Sequence, residues 1–428
     1  MNNNGIYVSL DIGTSNVKVI IGELSGDVLN VIGVGNVVSK GVRKGSIVDI
    51  DETVLSIQKA VEQAERMVGV EINRVIVGIA SNHIQLLPCH GVVAVASENR
   101  EISDDDVARV IDAAQVVSIP PEREIIDVIP QQFIVDGLDE INDPRGMIGV
   151  RLEMEGTIIT GSNTVLHNTL RCVERAGLDI IDICLQPLAA GSVALSKDEK
   201  NIGVALIDLG GGSTTVSVFE EGTLQVTSML QVGGDHITKD LSIGLRTTTE
   251  EAEKMKKTYG HAYFDHASDE ETFDVSMIGS NQTQTFSQLD IAEIIEARLE
   301  ELFIMVGKEL TALGYPHLPG GLVLTGGVAS MPGVLELVQD VTQHNVRVAI
   351  ADYIGVREPQ YTTGVGVIQF AHRNMKIQGK EVAASIATEE SNRPATTKKK
   401  KAPAAEPKDK NQPGLSKKVK HWFNNFFE

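Results

Sequence analysis

"YVSLDIGTSNVKVIIGELSG" (residues 7–26) and "VALIDLGGGSTTVSVFEEGT" (residues 204–223) decide how this chain is read. The two stretches align without a gap. Asp11 falls on Asp208, Gly13 on Gly210 and Val19 on Val216, a constant offset of 197. Each reads as strand, tight polar turn, strand, Gly-containing turn, because short Val/Ile-rich runs bounded by Gly are buried strands. The repeat predicts two halves of the same fold facing each other.

The turns carry the chemistry. Backbone N–H groups of such a turn point into a common space and bind anionic oxygens. In "DIGTSN", Gly13 lets the chain approach a phosphate closely. Thr14, Ser15 and Asn16 add side-chain donors. Lys18 adds a cation, although on a strand it can equally face water. Asp11 would repel phosphate, so its fitting role is to hold Mg²⁺ through water, which that ion gives up reluctantly. "DLGGGSTT" repeats the logic with Asp208, Gly210, Gly211, Gly212, Ser213 and Thr214. One such turn is equally an ordinary β-hairpin. Two in register, opposed across a cleft, would grip a polyphosphate from both sides.

Two further signals are weaker. "GGLVLTGGVASMPGV" (residues 320–334) runs a strand into Gly326–Gly327 and then a helix. A flat apolar ligand could sit against that pair, but the pattern is common in α/β proteins. "VGGDHITKDL" places Asp235 as a helix N-cap. GxxxxGK[ST], the dinucleotide Gly pattern, GxSxG, HExxH and CxxC are all absent. His83, His90 and His167 read as ordinary polar or capping residues.

The 428 residues are 42% hydrophobic and 22% charged, enough for several packed domains. No run of eighteen apolar residues occurs, and the start has no basic region before an apolar one. Cys89, Cys172 and Cys184 lack disulfide or metal spacing and suit a reduced cytosol. The charge of −20 is uneven. From Lys376 onward twelve Lys/Arg face six Asp/Glu, so the tail carries +6 and the body −26. An acidic body argues against a nucleic-acid partner. A basic tail argues for an anionic one.

Strands such as "RVIVGIA" alternate with helical stretches such as "DETVLSIQKAVEQAERMVG" and "TVLHNTLRCVERAG". The class is therefore α/β with mixed sheets. Residues 379–413 are rich in Ala, Pro, Lys, Glu and Thr without an aromatic, and read as a disordered tether. As a coil they reach about 30–35 Å root-mean-square.

"GLSKKVKHWFNNFFE" (residues 414–428) follows. At 100° per residue Leu415, Val419, Trp422, Phe423, Phe426 and Phe427 fall within an arc of about 140°, with Lys417, Lys418 and Lys420 outside it. Such a helix is too short to span a bilayer. It suits the interface, with the aromatics in the acyl boundary and the lysines toward anionic lipid. A helix that docks in a protein groove, or back on its own body, has the same pattern.

The ordered motifs, with the connecting "LQPLAAG" (residues 185–191), resemble the actin-like ATPase superfamily across nearly all of residues 5–378. Within it the chain most resembles the FtsA family of bacterial cell division proteins. "GTSNVKVIIGE", "LQPLAAG" and "IDLGGGSTTVSVF" are close to that family's pattern, and the tether and aromatic tail complete the match. The resemblance implies an actin-like two-lobed fold from a duplicated mixed-sheet domain with small inserted subdomains. The first core half would be residues 5–82 and 161–198, with a subdomain inserted at 83–160. The second would be 199–234 and 291–378, with a small subdomain at 235–290. The tether and an amphipathic membrane-targeting helix would follow.

It also implies ATP and Mg²⁺ as cofactors. Asp11 and Asp208 would hold the metal, and the residues of the two turns, Lys18 included, the phosphates. Gly326 and Gly327 would back the adenine. Glu253 and Lys256 in "AEKMK" would meet the ribose, although without the resemblance they read as a solvated i,i+3 ion pair. Gln186 would orient the attacking water. An amide is no useful base, so hydrolysis would be slow at most.

The implied function is an ATP-dependent polymer. It would tie the tubulin-like FtsZ ring to the cytoplasmic face of the membrane at the septum and recruit later division proteins. The alternatives are a pilus-assembly PilM-like protein or a kinase of the same superfamily. A kinase would need a carboxylate base and a sugar pocket that no motif specifies, and would leave the tail unexplained.

Overall fold

The computed structural model describes residues 5–26, 28–279 and 283–378. The expected tether and terminal helix lie outside the described residues.

The duplicated stretches form the centres of two five-stranded mixed sheets. In the first, Gly5–Ile12 pairs antiparallel with Asn16–Ser25, which pairs antiparallel with Val28–Val38. On its other side Gly5–Ile12 runs parallel to Arg74–Ile79, which runs parallel to Asp179–Leu185. The second sheet repeats this. Val204–Leu209, Thr214–Glu220 and Thr223–Leu230 are antiparallel in turn, and Leu322–Thr325 and Val346–Val348 add in parallel. Equal topology from equal sequence is the duplication seen in three dimensions.

Alternation along the strands gives each sheet two apolar faces. In the first, Val8, Leu10 and Ile12 pack on one side with Val54, Ile57 and Val61 of the helix Ile50–Val68. That helix starts because Asp49, extended at φ −141°, accepts a bond from the Glu52 N–H. On the other side Tyr7, Ile20, Ile76 and Cys184 pack with Ala189 and with Val365, Val367 and Ile368 of the helix Thr362–Ile377. In the second sheet Ala205, Ile207 and Leu209 face Ile237, Leu241, Ile295 and Leu299 from the helices Gly234–Gly244 and Gln288–Ala312. Leu206 and Val323 face back toward Ala190 and Ala194 of the helix Gln186–Ala194, which therefore packs against both lobes.

Between the first lobe's strands lies a four-stranded antiparallel sheet built from Gln85–Ala94, Arg151–Ser162, Arg123–Val135 and Leu138–Ile141 in that order. The helix Asp104–Ala114, started by a reciprocal Ser103–Asp106 cap, covers it with Val107, Val110 and Ile111. The second lobe's excursion comes earlier in its chain order, before the parallel strand Leu322–Thr325 rather than after it: the helix Thr249–Tyr259 and a hairpin of Thr272–Ser276 and Thr283–Ser287 lie between the core helices Gly234–Gly244 and Gln288–Ala312. Among the described residues no helix is long and apolar enough to cross a membrane, and the three cysteines are buried and form no disulfide.

Candidate functional site

The two turns face each other. Each closes with the same bond at the same offset: Gly13 N–H to the Asn16 carbonyl at 3.0 Å, and Gly210 N–H to the Ser213 carbonyl at 3.1 Å. They are in contact across the cleft. A Cβ on Gly211 would lie 1.6 Å from Ser15 Oγ, and one on Gly212 2.5 Å from Thr14 Cγ2. Gly211 and Gly212 are thus required by the hydroxyl residues of the first turn, whereas a Cβ on Gly210 would meet the Ser213 carbonyl of its own turn at 2.9 Å.

A cavity of about 140 Å³ lies between them. The sequence-predicted Asp11, Gly13, Thr14, Ser15, Asn16 and Lys18 line it from one lobe, and Asp208, Gly210, Gly211, Gly212 and Ser213 from the other. Gln186, Gly326 and Gly327 complete the predicted set there. Gly326 has φ +90° and a Cβ on it would meet Asp208 Oδ1 at 2.4 Å, whereas a Cβ on Gly327 would meet nothing within 4 Å. The open face is at Gly327. The expected helix after this pair is a short 3₁₀ turn, Gly327–Ser330, with the α-helix Val334–Thr342 beyond it.

The two aspartates differ in their support. Asp11 accepts from the Gln186 amide at 2.7 Å and lies 3.7 Å from Lys18 Nζ. The Lys18 side chain therefore turns to the cleft rather than to water. Among the described residues Asp208 has only the Thr363 hydroxyl, at 3.5 Å. Burial raises its carboxyl to about 6, Lys18 opposing and Asp11 adding to the rise. Two close carboxylates of this kind suit a divalent cation. The backbone N–H groups of Thr14, Ser15, Gly211 and Gly212 donate to no backbone carbonyl among the described residues. Free N–H groups, a lysine and paired carboxylates are the donor set that a Mg²⁺–polyphosphate needs.

Three predicted residues sit elsewhere. Thr214 is buried and its hydroxyl donates to the Val232 carbonyl at 2.8 Å, so Thr215 takes the position on the cavity. Glu253 and Lys256 pair at 2.6 Å beneath the second turn, outside the cavity lining. The Lys256 ammonium also donates to the Gly234 carbonyl at 3.0 Å and to the Thr238 hydroxyl at 2.7 Å. Burial alone would push the Glu253 carboxyl up, but Lys256 holds it below its ordinary value. Lys256 is 8% exposed, so the pair is not a solvated one.

Asp235 is not the helix N-cap. Gly233 holds that position, and Asp235 in the first turn accepts from Ser15 Oγ at 3.1 Å, bridging the lobes. Sequence reasoning also missed Gln360, in the 3₁₀ turn Pro359–Tyr361, and Thr363, at the start of the last helix, which both line the cavity. The small polar run "PQYTTG" (residues 359–364) was their only signal. His90 lies 3.2 Å from Glu153 and His167 3.3 Å from Glu124, ordinary polar pairs away from the cavity.

Comparison with known proteins places the whole chain. A family model described as Cell division protein FtsA matches residues 205–366, and one described as the SHS2 domain inserted in FTSA matches residues 81–160. The Cell division protein FtsA of Bacillus subtilis (strain 168) is 65% identical over 389 residues, which cover 91% of this chain and 88% of that relative. The chain belongs to the FtsA family of cell division proteins. The Enterococcus hirae member is 44% identical, over 87% of this chain and 84% of its own. Among solved structures, the PilM–PilN type IV pilus biogenesis complex has a TM-score of 0.57 at 15% identity, covering 86% of this chain and 98% of the other. MreB5 of Spiroplasma citri bound to ADP has a TM-score of 0.55 at 14% identity, covering 87% and 98%. At such identities the likeness is one of fold. It makes this FtsA-family chain an α/β protein of the actin-like, two-lobed kind.

Proposed function

We propose that this FtsA-family chain binds Mg²⁺–ATP between its two turns, polymerises in that state, and ties the FtsZ ring to the cytoplasmic membrane at the septum, where later division proteins join it. The observation that carries the reading is the pair of turns with one backbone geometry, facing each other over two aspartates. The ADP-bound MreB5 shares the fold, which supports a nucleotide in this cleft.

The phosphates would lie against the N–H groups of Thr14, Ser15, Gly211 and Gly212, with Lys18 alongside. Mg²⁺, held through water by Asp11 and Asp208, would neutralise phosphate charge. Gly326 and Gly327 would back the adenine. Glu253 and Lys256 reach the ribose only if their ion pair turns toward the cleft, so they are the site's most exacting test. Gln186 orients water but takes no proton, so hydrolysis is slow and nucleotide acts by holding the lobes together.

One short amphipathic helix is marginal alone and binds lipid weakly. A polymer arrays many copies of residues 414–428 on one surface, and avidity supplies the hold. The test is to mix the protein with anionic liposomes and ATP, with and without residues 414–428, and image the membranes. Filaments on lipid only with the intact tail support the reading. Sugar phosphorylation without lipid, or ATP turnover at metabolic-kinase rates, contradicts it. Trp422→Glu is expected to release the protein from liposomes while ATP binding stays at the wild-type level.

A further inference from the structure

A second cavity, of about 320 Å³, lies far from the turns, where the inserted sheet, both lobes and the last helix meet. Ile129, Leu188, Phe219, Phe370 and Ile377 give it apolar walls. Lys200 and Arg373 also line it, and no carboxylate does. Neither cation has a salt bridge or a side-chain hydrogen bond among the described residues; Lys200 lies over the Phe219 ring, 5.8 Å from its centroid. The adjacent Glu199 is engaged by Arg347 at 2.7 and 2.8 Å. Burial, with Arg373 nearby, lowers the Lys200 ammonium to about 8, against the pull of Glu199. On a body carrying −26, a doubly cationic apolar cavity is anomalous.

We propose that this cavity is the docking site for the end of residues 414–428: Phe426 and Phe427 fill it and Glu428 meets Lys200 and Arg373 when the chain is off the membrane. The idea rests on the membrane-binding reading of that segment, for which it supplies a regulatory state. Ile377 is itself a cavity wall, so the stretch that leads to the tail begins beside the site. A coil of 35 residues spanning about 30 Å returns easily, at an effective concentration of order millimolar. The volume is about twice the ~150 Å³ that accepts one benzene, so it takes two rings. Lys417, Lys418 and Lys420 lie at least six residues before Phe426, which leaves them over the acidic body. The root of the tail is also fixed to the inserted sheet. Arg145 donates to the Ile377 carbonyl at 2.7 Å, and Asp127 accepts from Asn374 at 2.7 Å and Gln378 at 3.2 Å. Docking would therefore bind one rigid corner.

Trp422 is the protein's only tryptophan and reports the state directly. In full-length protein without lipid, its acrylamide quenching is expected to be clearly lower than in Arg373→Glu or Lys200→Glu. The pair Arg373→Glu with Glu428→Lys is expected to restore protection, and a photocrosslinker at position 427 to label the last helix of its own chain. Arg373→Glu should also strengthen binding to phosphatidylglycerol vesicles by about two- to fivefold, the worth of a surface charge pair. Equal quenching in wild type and both charge variants, or crosslinks only between copies, overturns the proposal. If quenching responds as expected but no vesicle binding occurs, docking stands and the membrane reading fails.

Discussion

At the first turn the aspartate is held: Asp11 has the Gln186 amide at 2.7 Å and Lys18 at 3.7 Å. At the second turn Asp208, half-buried on the cavity, has one hydroxyl at 3.5 Å among the described residues, and desolvation pushes its carboxyl up to about 6. The backbones are the same, down to the bond that closes each turn. Duplication supplied the frame, and the side chains then divided the work. The first turn brings hydroxyls and a cation. The second removes every Cβ that would obstruct them and keeps a carboxylate that is costly to ionise until a cation arrives.

The sharpest way to break this comparison is to give the second turn a side chain. Gly211→Val places atoms where Ser15 Oγ stands. Overpacking of this kind costs about 1–3 kcal/mol, so ATP affinity is expected to fall about tenfold to a hundredfold in a fluorescent-nucleotide titration. Adding Ser15→Gly should recover most of the loss. No recovery would mean that the turns do not meet in the binding state.

Asp208→Asn sharpens the difference between the aspartates. Its Mg²⁺-dependent ATP affinity is expected to fall about tenfold, the scale of losing one charged partner. The nucleotide-free protein should nevertheless melt higher at pH 7.5, since a neutral isostere removes a poorly supported, desolvated charge. The pH dependence follows in sign. The folded carboxyl holds its proton up to about pH 6, and the unfolded one only to about 4. The stabilisation from protonated Asp208 is full below that lower value and is lost as pH rises through about 6. Thermal scans should show this decline in wild type and its absence in Asp208→Asn.

The smallest effect belongs to the inter-lobe bridge. Ser15→Ala removes the bond to Asp235, worth about 1 kcal/mol and thus about fivefold in nucleotide affinity at most. An unchanged affinity would make the bridge incidental.

Most of this frame was legible in the sequence, because duplication leaves a constant offset and a tight turn needs Gly at fixed places. Asp11, Gly13, Asp208 and Gly210 could be placed without coordinates. What the sequence hid is contact between distant positions. Asp235 looked like a cap, since Asp at a helix start usually is one, but its partner Ser15 is 220 residues away. Thr363 and Gln360 reach the cleft only because the last helix packs on the first lobe. Thr214 and Thr215 differ by one place in a period-2 strand, which is enough to put one inside the fold and the other on the cavity. Burial of Lys256 depends on the Gly234 carbonyl beneath it, which no local pattern announces.

The central claim is that both turns act on one Mg²⁺–ATP. The most direct test is a double-mutant cycle of Asp11→Asn and Asp208→Asn, read by ATP titration with and without Mg²⁺. The account predicts that each single change removes most of the Mg²⁺ dependence, and that the double change costs far less than the sum. Wild-type Mg²⁺ dependence in either single variant, or strictly additive losses, would contradict it.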